Sequence, residues 1–499
     1  MKRRTLVIIL LLVVVVSCLA LTACHACEFG EWTVTIQATC TQDGSKERVC
    51  ECGEKQTEVI PAGHDEVKHQ AQAPTCDEIG WNDYVSCSRC DYTTYAEIAE
   101  LGHTYQNKLC TVCGELQPSA GLVYDLKSGE YSVKGIGTCT DTDIIIPSTY
   151  QGVPVTKISS SAFDGCSRLT SIIIPNGVTS IGGNAFSGCT SLTSIIIPDS
   201  VTSIGSAAFS NCTSLTSITI PSSVTSIGNS AFGSCNALTG VYITDITAWC
   251  NIAFANPTAN PISGAKKLYL NNEVVTALTL PNNTTAISDY AFAYCDSLTS
   301  ITIPDSVKSI SYRSFHFCSN LASIVVDANN ENYSSIDGNL YSKNGKTLVK
   351  YAPAQTSTSF VIPSGVTTIG DYAFYRCDGL TSVTIPSSVK TIGNYAFCES
   401  SNLAKVTIYE GVISIGNSAF RSCDFTSIII PSSVKSIGIE AFWDDNLKKV
   451  TFDDPNGWFI TKTEGATSGT NLTLTDISKN AEYLSSIAYY SDYYWYKNN

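Results

Sequence analysis

A phenylalanine recurs every 23 residues through most of the chain, and this spacing constrains the fold more than any other feature. Phe163, Phe186, Phe209 and Phe232 show it first, and the repeating unit can be written Leu-Thr-Ser-Ile-x-Ile-Pro-x-Ser-Val-Thr-Ser-Ile-Gly-x-x-Ala-Phe-x-x-Cys. A single unit is too short to bury its own apolar side chains, so neighbouring units must stack. Residues 163–452 are therefore predicted to form a repeat solenoid and not a single compact core.

The unit that ends at Phe232 can be interpreted residue by residue. Leu215, Ile218 and Ile220 alternate with polar residues, which predicts a short strand with the apolar side chains facing inward. Pro221 cannot donate a ladder hydrogen bond, so the strand should end there. Stacking then sets each strand beside the next in a parallel sheet, with the phenylalanines on the opposite side.

The period and the spacing Leu-x-x-Ile-x-Ile are typical of leucine-rich repeats. The whole unit resembles the BspA-type (Treponema pallidum-type) leucine-rich repeat of bacterial surface proteins. Residues 120–162 and 453–499 resemble the N-terminal and C-terminal caps of that family, and the tyrosine-rich end of the chain is expected to cover the open solenoid. The family is implicated in adhesion and protein binding, so the resemblance implies surface display without fixing a ligand.

Two insertions, near residues 241–275 and 327–352, interrupt the period and widen the phenylalanine spacing to 60 and 59 residues. Each is interpreted as a widened unit. The second resembles a recurrent insertion of the family, and Asp337-Gly338 and Asn344-Gly345 predict hairpin turns within it.

The start of the chain has the pattern of an export signal. Three cations precede an apolar run, and Leu21-Thr22-Ala23-Cys24 resembles a bacterial lipobox. Residues 1–23 are therefore predicted to be a lipoprotein signal peptide, with Cys24 as the lipidated residue; an uncleaved anchoring helix is the alternative. Either way, the protein is expected at a bacterial cell surface, anchored in the membrane through its N-terminus.

Residues 24–115 carry tandem modules rich in cysteine and histidine. Two aligned copies give the sets Cys40, Cys50, Cys52, His64 and Cys76, Cys87, Cys90, His103, and a truncated copy follows. Three thiols and one imidazole suit a closed structural Zn²⁺ site of zinc-ribbon-like type. Disulfides are the alternative, because an exported chain meets an oxidising environment, and a third possibility is neither. The modules are expected to act as a stalk.

The repeat cysteines each follow the phenylalanine by three residues: Cys166, Cys189, Cys212, Cys235, Cys295, Cys318, Cys377 and Cys423. One unit breaks this column by placing Ser400 at the position. A metal row or a disulfide framework should not tolerate that change, so these cysteines are predicted to be free, buried thiols that act as small apolar side chains.

Charge and composition exclude several classes of function. A net charge of -14 argues against nucleic acid as a partner. The chain has five histidines, and the repeats contain only His316, at a position that tolerates many residue types and is therefore predicted to be exposed. No nucleotide-binding or nucleophile motif appears, so the protein is predicted not to be an enzyme.

The candidate binding surface is the outward residue between the two inward isoleucines of each unit. These residues are uncharged and β-branched or aromatic: Ile173, Ile196, Thr219, Tyr242, Thr302, Val325, Thr384, Thr407 and Ile429. Strand propensity alone would also explain them. The leading hypothesis is a monomeric surface protein that binds a protein or glycan ligand for adhesion, with no cofactor in the repeats. The alternatives are an envelope scaffold without a host ligand and an enzyme whose site lies in an insertion.

Overall fold

The computed structural model describes residues 28–443, 446–485 and 491–498. The predicted signal peptide, residues 1–23, and the predicted lipidation site Cys24 lie outside these ranges. The chain divides into two compact units, with the boundary between Gln117 and Pro118. In the ranges above, we find no helix with the length and apolar character needed to cross a bilayer.

The N-terminal unit consists of small antiparallel pairings. Its strands are β1 (Thr33–Ile36), β2 (Gly44–Val49), β3 (Lys55–Ile60), β4 (Glu66–His69), β5 (Gly80–Trp81), β6 (Tyr84–Cys87), β7 (Glu97–Ile98), β8 (Tyr105–Gln106) and β9 (Leu109–Cys110). They pair as β1-β2-β3, β4-β6, β5-β7 and β8-β9. The buried apolar side chains of residues 28–117 are those of Ala38, Cys50, Cys76, Cys87 and Cys110. This unit therefore has almost no aliphatic core.

The second unit is the predicted solenoid, and each repeat contributes a strand to each of two sheets. Its first strands are β10 (Val123–Lys127), β11 (Glu130–Gly135), β12 (Asp143–Ile145), β13 (Thr149–Tyr150), β14 (Val153–Ile158), β15 (Ser171–Ile173), β16 (Ser180–Ile181), β17 (Ser194–Ile196), β18 (Ser203–Ile204), β19 (Ser217–Thr219) and β20 (Ser226–Ile227). Strand β15 pairs parallel with β17, and β16 pairs parallel with β18. The pairing confirms stacked leucine-rich repeats with parallel sheets.

The two sheets enclose a core that repeats with the sequence. The phenylalanine rings stack with centroids 5.3 Å apart between Phe163 and Phe186 and 5.2 Å apart between Phe209 and Phe232. In most units the backbone N–H of this phenylalanine donates to the next unit; that of Phe163, for example, donates to the Ala185 carbonyl. Because the rings are fully buried, each interior unit is stabilised by its neighbours on both sides.

The first insertion holds a complete additional turn of the solenoid, so its interpretation as one widened unit is wrong. The elements here are β21 (Gly240–Ile243), α1 (Ile246–Cys250), β22 (Ala253–Phe254), the 3-10 helix η1 (Pro257–Ala259), α2 (Ile262–Ala265), β23 (Leu268–Leu270), β24 (Glu273–Val274), β25 (Ala277–Thr279), β26 (Ala286–Ile287), β27 (Ser300–Ile303), β28 (Ser309–Ile310) and β29 (Ser323–Val326). Strand β23 pairs with β21 in one sheet, and β22 pairs with β20 in the other. In this turn, short helices take the place of the phenylalanine motif. Because the motif is absent, the sequence pattern did not indicate the turn.

The second insertion is a three-stranded antiparallel meander. Its strands are β30 (Tyr333–Ile336), β31 (Asn339–Ser342) and β32 (Thr347–Lys350). Asp337 and Gly338 have φ angles of 49° and 75°, which suit a two-residue hairpin turn. Both predicted hairpins are therefore confirmed. Tyr351 then occupies the place of the repeat phenylalanine, with its ring 5.0 Å from that of Phe374.

Regular repeats resume after the meander and end in a mixed cap. The remaining elements are β33 (Ser359–Val361), β34 (Thr368–Ile369), β35 (Ser382–Ile385), β36 (Thr391–Ile392), β37 (Lys405–Ile408), β38 (Ser414–Ile415), β39 (Ser427–Ile430), β40 (Ser436–Ile437), β41 (Lys449–Phe452), β42 (Trp458–Thr461), β43 (Thr470–Asn471), α3 (Ile477–Ser485) and β44 (Tyr494–Lys497). Strand β44 pairs antiparallel with β40 and β42 and buries Trp495. The tyrosine-rich segment thus covers the open edge of β40, the last of the short repeat strands in its sheet.

Candidate functional site

The outward column predicted from the sequence lies on the solvent side of the first sheet. All nine residues are exposed or half-buried, and all but Val325 stand between buried neighbours in the sequence. Ile196 is 76% exposed and Ile429 is 55% exposed. Parallel pairing sets Ile173 beside Ile196 and Thr219 beside Tyr242. The nine residues therefore form runs on a common face, as predicted.

The structure adds five residues to this column that sequence reasoning missed. They pair with predicted members in the same register: Ile145, Tyr269, Thr279, Val361 and Thr451. The Tyr242 and Tyr269 rings stack with centroids 4.6 Å apart. Most of the added residues lie next to a cap or an insertion, where the repeat pattern breaks down. We call the fourteen residues together the binding face.

Threonine side chains beside the binding face are already hydrogen-bonded within the solenoid. The Thr193 hydroxyl donates to the Thr170 carbonyl at 3.3 Å, and the Thr239 hydroxyl donates to the Thr216 carbonyl at 3.1 Å. The binding face itself carries no charged side chain. The face is therefore an uncharged surface of aliphatic side chains, aromatic rings and threonines, suited mainly to apolar contact with a partner.

The cysteines and histidines of the N-terminal unit form two clusters. In each cluster the ligand atoms all lie within 4.8 Å of one another. The first cluster consists of Cys40, His64, Cys87 and Cys90, and the second of Cys76, His103, Cys110 and Cys113. The predicted sets are therefore wrong in membership, because each cluster combines a cysteine and a histidine of one copy with the cysteine pair of the next.

Strand pairing explains this exchange. Strand β4 follows His64 and pairs with β6, where Glu66 lies opposite Cys87. In the same way, β8 follows His103 and pairs with β9, where Tyr105 lies opposite Cys110. Each cysteine pair is thus carried to the histidine of the preceding copy. Aligning the copies reveals the duplication but not this pairing between copies.

Cys50 and Cys52, predicted as zinc ligands, belong to neither cluster. They form a disulfide bond with each other, with their Cα atoms 5.3 Å apart. This pair occupies the position that Cys87 and Cys90 hold in the next copy, but it is one residue shorter. The other predicted cysteine ligands are free thiols in the described part of the chain.

Electrostatic features of the second cluster favour an ionised thiol. The backbone N–H groups of Cys113 and Val112 donate to Cys110 and lower the pKa of its thiol to about 5. His103 lies beside Asp77, with Nε2 and Oδ1 2.9 Å apart, and this carboxylate raises the pKa of the imidazole to about 9. The hydrogen bond leaves Nδ1 directed at Cys113, 3.5 Å away.

His316 is buried, so its predicted exposure is wrong. Its imidazole is 8% exposed and stacks on Tyr375 with ring centroids 4.4 Å apart. Burial, with the charges of Lys350, Arg313 and Arg376 nearby, lowers its pKa to about 3. The equivalent position is exposed at Asp164 and half-buried at Ser187, whereas aromatic side chains that follow the second insertion cover it here.

The repeat cysteines before Cys423 are free thiols, and all of them but Cys166 are buried; Cys423 is buried as well. They do more than pack. The Sγ atoms of Cys189, Cys212 and Cys235 donate to the carbonyls of Phe163, Phe186 and Phe209 at 3.0 to 3.2 Å. Burial raises the pKa of Cys189 and Cys235 to about 12. These thiols therefore stay protonated and act as hydrogen-bond donors within the core.

Comparison with known proteins concerns the solenoid. Residues 138–260, 265–349 and 367–494 match a family model described as a BspA type leucine rich repeat region, in six copies. No curated protein sequence matches the chain. A leucine rich cell surface protein from Faecalibacterium prausnitzii is 27% identical, covers 68% of this chain and 94% of its own, and has a TM-score of 0.43.

Two further solved structures are similar to the chain. A leucine-rich repeat protein from Bacteroides ovatus is 26% identical, covers 66% of this chain and 86% of its own, and has a TM-score of 0.40. The pneumococcal vaccine antigen PcpA is 21% identical, covers 68% of this chain and 82% of its own, and has a TM-score of 0.45.

Proposed function

The chain belongs to the BspA-type leucine-rich repeat family, and we propose from that premise that it is a non-enzymatic bacterial surface protein that binds a protein ligand for adhesion. The binding face is the observation that carries this proposal. Fourteen uncharged side chains follow one another across the solvent side of the sheets. Side chains of this kind cost free energy when left in water, and a partner that covers them recovers it.

A protein suits this face better than a glycan. The most exposed members are aliphatic, with Val361 67% and Ile196 76% exposed. Glycan recognition relies on aromatic platforms and on charged or amide side chains that bond sugar hydroxyls. The binding face has one stacked tyrosine pair and carries no charged or amide side chain. A flat apolar surface is instead typical of the core of a protein–protein interface.

The N-terminal part supports display at a distance from the membrane. Cys24, in its lipobox, would carry the lipid anchor, and residues 28–117 would form the stalk that precedes the solenoid. Acyl chains contribute about 0.8 kcal/mol per buried methylene, so two or three of them hold a protein firmly at a membrane.

A solid-phase binding assay tests the proposal. The chain from residue 24 onward is immobilised and exposed to a panel of purified extracellular-matrix proteins and, separately, to an envelope fraction of the source bacterium. Replacing Thr219, Tyr242 and Thr302 with lysine should abolish capture of the matrix protein while leaving the melting temperature unchanged. A second face variant, Val325→Lys, has a matched control in Ile413→Lys, because both side chains are 47% exposed and only Val325 lies on the binding face.

Each outcome decides between the candidate functions. Capture of a matrix protein that is lost in the face variants and kept in Ile413→Lys supports the proposal. Capture of envelope proteins alone would favour the scaffold alternative, and loss of capture on deglycosylation would favour a glycan ligand. Binding that is unchanged in the face variants would remove the binding face from consideration.

A further inference from the structure

The two cysteine–histidine clusters have the dimensions of a filled tetrahedral site. A Zn²⁺ ion with Zn–S bonds of about 2.3 Å and Zn–N bonds of about 2.05 Å sets its sulfur ligands about 3.8 Å apart and sulfur from nitrogen about 3.6 Å. In the first cluster, Cys40 Sγ lies 3.5 Å from Cys87 Sγ, and Cys90 Sγ lies 3.4 Å from His64 Nδ1. These separations fit ligands that share one ion.

The second cluster repeats these distances independently. Cys76 Sγ lies 3.7 Å from Cys110 Sγ, and Cys113 Sγ lies 3.5 Å from His103 Nδ1. Both sulfur–sulfur separations exceed a covalent disulfide bond of about 2.05 Å by more than 1 Å. The two clusters have the same ligand types and nearly the same distances between ligand atoms, which indicates a common arrangement around one ion in each.

Groups around the ligands complete the pattern of a metal site. In the first cluster, the backbone N–H of Arg89 donates to Cys87 Sγ at 3.4 Å. The His64 ring stacks on that of Tyr92 with centroids 4.0 Å apart. In the second, Asp77 holds Nε2 of His103 at 2.9 Å, so that Nδ1 faces Cys113 and the other ligands. A carboxylate on the far nitrogen of a ligating histidine is a recurrent support for zinc.

Among residues 28–117, little apolar burial is available to hold the fold. Its buried apolar side chains are one alanine and four cysteines, and three of those cysteines belong to the clusters. A unit of this size without an aliphatic core needs metal ions or disulfides. The disulfide found in the described part of residues 28–117 joins residues two positions apart, so it closes almost no loop.

We propose that each cluster binds one structural Zn²⁺ ion and that each ion joins one module to the next. The ion in the first cluster joins the Cys40 and His64 side chains to the Cys87–Cys90 turn. The ion in the second joins Cys76 and His103 to the Cys110–Cys113 turn. Four protein ligands close the coordination sphere, so the ions hold the modules together and perform no catalysis. Thiolate and imidazole donors select Zn²⁺ over hard cations.

Zinc counting in paired variants tests this arrangement. The chain from residue 24 onward, purified under reducing conditions with Zn²⁺ supplied, should contain two zinc ions by elemental analysis. His64→Ala and Cys90→Ser should each contain one. The double variant should also contain one, because both residues belong to the first cluster; ligand sets confined to single modules would leave none. Cys50→Ser with Cys52→Ser is the matched control and should retain two.

The remaining outcomes are equally decisive. If His64→Ala unfolds the unit and loses both ions, His64→Cys should restore two, because a fourth thiolate replaces the imidazole. Failure of His64→Cys to restore the count would overturn the proposal. A wild-type chain with less than half a zinc per cluster and with its cluster thiols paired would show disulfides instead. Loss of an ion from the Cys50/Cys52 control would show that the ligand sets are wrong.

Discussion

The Ser400 hydroxyl donates a hydrogen bond to the Phe374 carbonyl oxygen at 2.7 Å. Cysteine thiols make the equivalent bond in five other units, in which Cys423, for example, donates to the Phe397 carbonyl at 3.2 Å. Donor and acceptor are always 26 residues apart. In these six units the column thus holds a small hydrogen-bond donor, and serine and cysteine both serve as that donor.

Replacing Ser400 tests this requirement. Ser400→Ala should lower the free energy of unfolding by about 1–2 kcal/mol, because it removes the bond to Phe374 and also the bond that Ser400 accepts from the Cys377 N–H. Ser400→Cys should recover most of the loss. Thermal and urea unfolding measure both changes. An alanine variant as stable as the wild type would show that the donor contributes nothing.

Thiol labelling tests the protection of the repeat cysteines. Cys189, Cys212 and Cys235 are at most 1% exposed, and burial raises their pKa. Because the thiolate is the reactive form, an alkylating reagent at pH 8 should modify them slowly in the native protein and rapidly after unfolding. Half-buried Cys166 should react before them. Peptide mass spectrometry gives the order, and equal rates for all four would contradict the packed column.

The fold was largely predictable from the sequence because the same pattern of apolar and polar residues recurs in many units. A residue such as Ile218 faces inward in one unit, and the same position faces inward in the others, so one interpretation holds throughout. The first insertion lacked that redundancy. Ala259 takes the phenylalanine position there, since Phe232 N–H donates to the Thr258 carbonyl, and nothing in the local sequence marks the substitution.

The clusters show a different limit. The ligand residue types were identifiable from sequence, because thiol and imidazole groups recur in both copies. The partners were not, because pairing depends on which hairpin brings Cys87 beside the segment after His64. Periodicity within a copy contains no information about contacts between copies. Three-dimensional strand pairing was therefore needed to assign the ligand sets.

Acidification should destabilise the solenoid through His316. Its pKa is about 3 in the folded protein and about 6.5 when unfolded, so between these values the unfolded state binds the additional proton. Stability is therefore present above pH 6.5 and is lost as the pH falls, by up to about 1.4 kcal/mol per pH unit. His316→Phe removes the titrating group and should flatten this dependence. Melting temperatures from pH 7 to pH 4 measure it, and parallel profiles for wild type and variant would contradict the assignment.

Lys350 is a buried cation whose removal should stabilise the protein. It is 5% exposed, and its ammonium donates to the Tyr372 carbonyl at 3.3 Å. Within the described residues no carboxylate pairs with it, and desolvation lowers its pKa. Lys350→Met keeps the volume and removes the cost of burying the charge. The Tyr372 carbonyl still accepts from the Tyr375 N–H, so no acceptor is orphaned.

The expected result for Lys350→Met is a melting temperature higher by several degrees. The pKa of His316 should also rise, because a nearby positive charge is lost. Lys346→Met is the matched control: this lysine lies in the turn before the same strand but is exposed, so its replacement should leave both quantities unchanged. Histidine NMR titration and thermal unfolding give the two readouts. A lower melting temperature for Lys350→Met alone would show that the ammonium group contributes a stabilising contact that outweighs its desolvation.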